Sequence, residues 1–244
     1  MITIRKGIER GLSESEQERC YHSFSFGEYR DEDHMGFSSI RVLNEMQLEP
    51  GGVIDTHPHQ NIEILTYVID GELEQKDSLE KVEKIGTREI QLASAGTGIL
   101  HSECNSSKKE PVSFWEIWIY PHAKGLAPTV QRLKVDLNEN QNELVCAVSS
   151  DGRDKSLIIN QKATIYFGLL GKDRITQFKP KDDSEIWVQL MSGTLRVNDV
   201  ELAEKDGASI LDEEELSLQA LDESTEFMLF ECVKSKSDTE GDPS

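Results

Sequence analysis

Glu63-Ile64-Leu65-Thr66-Tyr67-Val68-Ile69-Asp70-Gly71 reads as one β-strand running into a tight turn. Branched and aromatic side chains fill it, and Asp-Gly before the polar stretch Glu72–Ser78 is hairpin chemistry. The same wording returns as Glu185-Ile186-Trp187-Val188-Gln189-Leu190-Met191-Ser192-Gly193, again Glu-Ile, a strand and a turn glycine eight residues on. Downstream, Gly96-Thr97-Gly98-Ile99-Leu100-His101 lies over Gly207-Ala208-Ser209-Ile210-Leu211-Asp212. Two matched pieces in the same order imply a duplicated domain, with the boundary near residue 130.

Outward from these anchors the chain keeps the same character. Ser39–Leu48, Glu89–Leu92 and Val112–Tyr120 read as strands, separated by turn chemistry at Pro50-Gly51-Gly52 and Gly96-Thr97-Gly98. Pro121–Leu137 is a loop-rich connector. Strands resume at Leu144–Val148, Leu157–Asn160, Ala163–Leu170, Ile186–Met191, Thr194–Val197, Ala208–Leu211, Leu216–Leu221 and Phe227–Cys232. Short strands, frequent turns and no good amphipathic helix predict an all-β antiparallel sandwich or barrel. Residues 1–38 form a weakly periodic preamble in which Tyr21–Phe26 alternates like a strand. Residues 234–244 carry no apolar side chain and are expected to be a disordered tail.

Charge limits the partners. Against 26 basic residues stand 46 acidic ones, a formal net charge of −20, concentrated between Lys181 and Glu226. Such a surface repels nucleic acid and anionic membranes. Cys20, Cys104, Cys146 and Cys232 are widely spaced and imply neither a disulfide framework nor a zinc–cysteine site. The first residues lack the apolar run of a signal peptide, and no stretch approaches a membrane helix, so the expected location is cytoplasmic.

Three of the six histidines cluster in two short pieces, Thr56-His57-Pro58-His59 and His101-Ser102-Glu103. Residues i and i+2 of a strand point to one face, so each piece can present two donor atoms together. Three imidazoles and a carboxylate suit Fe(II), Mn, Ni, Cu(II) or Zn. A lone H-x-H is a weak signal, but the duplication sharpens it. The overlay sets His57 and His59 on Lys179 and Lys181, His101 on Asp212 and Glu103 on Glu214, so the second copy lacks the ligand set. His22, His34 and His122 are expected to be structural or exposed.

These residues resemble the cupin superfamily, and more closely its pirin family of bicupins. Gly51, His57, His59, Glu63 and Gly71 are similar to the first cupin motif, and His101-x3-Asn105 to the second, although Gly96 stands where a proline is common. Pirin-like wording includes Phe24-Ser25-Phe26, Met35-Gly36-Phe37, Glu63–Tyr67, Asp77-Ser78, Ser94–Gly98 and Ile117-Trp118. The match is specific through about residue 130; the later half resembles the family in pattern only. The resemblance implies two jelly-roll β-barrels packed in tandem: a metal-binding domain at 1–130 and a metal-free one at 131–233. It implies a metal, commonly iron, on His57, His59, His101 and Glu103, with Glu63 structural or next to the ligands. Some bacterial members are similar to quercetin 2,3-dioxygenase, which opens a flavonol ring with O2 and releases carbon monoxide.

On that basis the expected partners are a small aromatic substrate and O2, with Glu103 as the base that takes the substrate's hydroxyl proton. Phe37, Ile54, Leu65, Tyr67, Phe114 and Trp118 are either pocket lining or core, with core the commoner fate of such side chains. A different class of function is a regulator that binds a protein partner, its metal's redox state acting as the switch. A storage-type cupin without activity is a third, disfavoured by the intact ligand set.

Overall fold

In the computed structural model, which describes residues 1–78 and 82–233, the repeat read from the sequence is a repeat of sheets. Each half owns one seven-stranded and one four-stranded sheet. Glu63–Asp70 lies between Glu89–Ser94 and Val112–Ile119, and Ser184–Ser192 lies between Gly207–Ile210 and Thr225–Val233. The two turn glycines match as well. Gly71 and Gly193 sit at φ 86° and 80°, where a Cβ would fall 2.9 Å from the Pro111 carbonyl oxygen and 2.6 Å from that of Ser224. Only glycine fits both constraints.

The seven-stranded sheets face each other across one core. Leu65, Tyr67, Trp115 and Ile117 from the first half join Ile165, Phe167, Trp187, Met228 and Phe230 from the second in a single buried cluster. The opposite faces of the same strands fill the barrels. In the second barrel the filling is apolar throughout its main cluster, with Ile186, Val188, Leu190, Leu195, Leu216, Leu218 and Leu229 packed together. Each such side chain contributes about 1.5–3 kcal/mol by leaving water.

Sheet membership departs from a division at 130/131. The strand Ile2–Arg5 crosses to the second half and pairs antiparallel with Gly207–Ile210, while Thr129–Lys134 pairs with Glu89–Ser94 of the first. Ile2 and Ile4 pack on the second barrel's core, which gives this end of the preamble its anchor. Lys6 Nζ and the Gly7 backbone N–H both reach the Asp206 carboxylate, at 3.0 and 2.7 Å. The alternating piece at Tyr21–Phe26 is a strand over Glu18–His22 instead. The expected tail at 234–244 lies outside the described residues. No helix among the described residues is long and apolar enough to cross a membrane.

Candidate metal centre

The strands Val53–His59 and Ile99–Cys104 are antiparallel neighbours, with His101 opposite His57 and Ile99 opposite His59. That register brings the three rings together. His101 Nε2 lies 2.9 Å from His59 Nε2 and 2.9 Å from His57 Nε2. His59 and His101 are buried and His57 half-buried. Two nitrogens each about 2.1 Å from one ion and at right angles stand about 3.0 Å apart. The spacing therefore fits adjacent positions on a single divalent ion. His57 gives its Nδ1–H to the Asp55 carbonyl at 2.8 Å, which leaves the Nε2 lone pair facing the cluster.

Glu103 is not part of this close group of three. The pairing register shifts between His101 and Glu103, so the i, i+2 pair is not a regular one. Glu103 is 1% exposed; Oε1 accepts from Gln75 Nε2 at 2.9 Å, and Oε2 is buried without a hydrogen-bond partner. An orphaned buried carboxylate oxygen beside three converging imidazoles is the environment a cation completes.

Burial dominates the electrostatics. It lowers His59 to about 4, helped by the neighbouring His57, and His101 to about 3, helped by His59 and His57. Both rings are therefore neutral near pH 7, the form that binds metal. Burial pushes the Glu103 carboxyl well up, with Glu116 adding to the push and the Gln75 hydrogen bond opposing it. Glu116 is raised by burial too, against the Trp118 hydrogen bond and His57. A divalent charge in the cluster reverses that trend.

Glu116 and Gln75 escaped sequence reasoning. Val112, Phe114, Glu116 and Trp118 occupy alternate positions of Val112–Ile119, so one acid on an otherwise apolar face was the available sign of a buried carboxylate. Glu116 accepts the Trp118 indole N–H, and the Trp118 ring stands edge-on to His59 with centroids 4.7 Å apart. Phe26 packs edge-on against Trp118 too, with centroids 5.2 Å apart.

Of the six apolar residues considered for a pocket, Trp118 alone has a ring contact with a histidine of the cluster. Leu65, Tyr67 and Phe37 turn to the core between the halves, and Phe114 and Ile54 pack with Cys20, Met46 and Leu73. Glu63 accepts from Ser94 Oγ at 2.7 Å and Asn160 Nδ2 at 3.2 Å, tying the first half to the second. His22 is buried between Asn44 and Ser13, His34 is half-buried on Asp31, and His122 is exposed. Lys179, Lys181, Asp212 and Glu214 are all exposed, and Lys181 pairs with Glu231. The four cysteines are free.

Two tandem barrels, one holding a three-histidine cluster and the other an apolar main cluster, define a bicupin with a candidate metal centre in its first barrel. The sequence profile described as Pirin matches residues 5–119, and that of a quercetinase C-terminal cupin domain matches residues 146–232. A quercetin 2,3-dioxygenase of Escherichia coli (strain K12) is 38% identical over 231 residues, covering 95% of this chain and 98% of that one. The structure of the bacterial pirin YhhW from Escherichia coli in complex with nickel(II) superposes with a TM-score of 0.92 at 36% identity, covering 96% of this chain and all of the other. A quercetin 2,3-dioxygenase from Acinetobacter baumannii shares the fold alone, with a TM-score of 0.80 at 20% identity over 98% of this chain and 88% of that one. The chain belongs to the pirin family.

Proposed function

We propose that this protein is a metal-dependent dioxygenase of the quercetin 2,3-dioxygenase type, opening a flavonol-like ring with O2. The observation that carries it is the convergence of His57, His59 and His101 Nε2 inside a barrel, in a chain 38% identical to a quercetin 2,3-dioxygenase over 95% of its length. The three imidazoles would hold the ion, with Glu103 as fourth ligand. Fe(II) is the ion we favour, and Ni, Cu, Mn and Zn also suit the donors.

When bound, the ion supplies Lewis acidity and a redox-capable centre for substrate and O2. The protein's share is positioning and proton handling. Glu103 would also serve as the base that takes the proton of the substrate hydroxyl. Trp118, steadied by Glu116 and Phe26, offers an aromatic edge beside His59 for a flat ring.

The test is oxygen-dependent loss of quercetin absorbance by the metal-loaded protein, run beside metal analysis. Turnover that needs both O2 and metal, and that disappears in His101→Ala and Glu103→Ala, supports the proposal. A fully loaded protein with no turnover under any of these ions sinks it.

A further inference from the structure

A cleft of about 420 Å³ opens at the seam between the halves, with Arg88 of the first and Glu226 of the second both in its wall. None of its lining residues belongs to the histidine cluster. A cleft of that volume where two domains meet is the usual setting of a small-molecule site.

The hydrogen bonds already made leave this wall rich in donors and poor in acceptors. Glu226 commits Oε1 to the Tyr67 hydroxyl at 2.6 Å and Oε2 to Arg88 Nη2 at 3.0 Å. Asn138 commits Oδ1 to Arg88 Nη1 at 2.8 Å, which leaves its amide N–H groups to spare. Arg88 has five N–H groups, and these two bonds use only two of them. Lys134 is exposed, and its ammonium has no ion-pair partner among the described residues. On the acceptor side stands Asp136, whose Oδ1 already takes the Glu139 N–H at 3.1 Å.

Charge points the same way. Arg88 and Lys134 balance Asp136 and Glu226 in the wall, whereas the whole chain carries a net −20. An anion entering the cleft is therefore spared most of the repulsion that the chain's overall charge imposes. Half-buried Ile69 adds an apolar surface beside these donors.

We propose that this cleft binds a small aromatic carboxylic acid, with its carboxylate on Lys134 and Arg88 and its ring against Ile69. The planar guanidinium suits both parts, since its N–H fork matches a carboxylate and its face stacks on rings. A ligand held there ties the first half, through Arg88 and Ile69, to the connector that carries Lys134. The site stands whether or not the histidines hold a metal.

The experiment titrates the full-length, Zn(II)-loaded, 15N-labelled protein with benzoate at neutral pH and follows assigned backbone amides. Benzyl alcohol, which keeps the ring and lacks the charge, is the control. Benzoate should shift the amides of Thr87, Arg88 and residues 134–138, and should bind about tenfold more tightly than benzyl alcohol. Lys134→Gln should weaken benzoate about tenfold and leave benzyl alcohol unchanged. Asp136→Asn, which keeps the oxygen that accepts from Glu139 and removes the opposing charge, should tighten benzoate severalfold. Equal affinity for the two probes, or no effect of either substitution, overturns the anion site. Seam amides that stay unshifted at millimolar benzoate overturn it as well. Shifts confined to the amides around His57, His59 and His101 would place benzoate at the metal centre, which overturns the seam site and leaves the dioxygenase reading intact. The wild-type comparison of the two probes needs no variant, so it decides the matter even where a substitution prevents folding.

Discussion

Tyr67 gives its phenolic hydrogen to Glu226 across 2.6 Å, and Arg88 holds the other oxygen of Glu226 at 3.0 Å. Tyr67 belongs to the first half and Glu226 to the second, so this bond spans the core between them. Burial and the facing Glu226 raise the phenol's proton affinity, which keeps it a donor at all ordinary pH. Tyr67→Phe should lower the unfolding free energy by about 1.5–3 kcal/mol, the range for a hydrogen bond to a charged group. Denaturant titration measures it. Ni(II) affinity should be unchanged, since Tyr67 faces away from the imidazoles.

The buried imidazoles should cost the metal-free protein stability as pH falls from about 6.5. His59 and His101 bind a proton near 4 and 3 when folded but near 6.5 when exposed. Between those values the unfolded chain holds more protons, so acid favours unfolding, by up to about 1.4 kcal/mol per pH unit for each ring. Glu103 and Glu116 act the other way, because their raised proton affinity favours the folded state as pH falls. The difference in stability between wild type and His101→Ala isolates the imidazole part. It should grow with pH across this window, and a flat difference would contradict the burial of His101.

Much of this was legible in the chain, and the gaps have physical causes. Asp70-Gly71 and the branched strands announced the sheets, and the histidine spacings announced the cluster. What could not be read was which face each side chain takes. Glu63–Val68 is buried on six consecutive residues because the strand has a barrel on one side and the second half on the other. A strand covered on both faces shows no alternation, so Leu65 and Tyr67 gave no sign of pointing away from the metal. Gln75 hid differently. Glu72–Asp77 is polar in composition, yet Leu73 and Gln75 are its buried positions, and a lone glutamine carries no ligand signal. Ile2–Arg5 was lost in the preamble, since its partner strand begins 202 residues after the end of that segment and only tertiary pairing reveals it.

Trp118 should report on the centre optically. Its ring is edge-on to His59, whereas Trp115 and Trp187 belong to the core between the halves. Ni(II) should quench tryptophan emission in the wild type, and Trp118→Phe should remove most of that quenching while calorimetry still detects binding. Undiminished quenching in Trp118→Phe would place the ion elsewhere.

Metal should stabilise both halves together. The cluster that holds Leu65, Trp115 and Ile117 also holds Phe167, Trp187 and Phe230. Unfolding either half strips apolar cover from the other, so the chain should unfold in one transition seen alike by circular dichroism and tryptophan emission. An ion that binds only the folded first barrel then stabilises the whole, by about 2.7 kcal/mol at a free concentration one hundred times its Kd. Adding Ni(II) should move the single transition upward, and His101→Ala should abolish the shift. Two separate transitions, only one of them moved by Ni(II), would show instead that the shared core does not couple the barrels. In that case the ion would stabilise the first barrel alone.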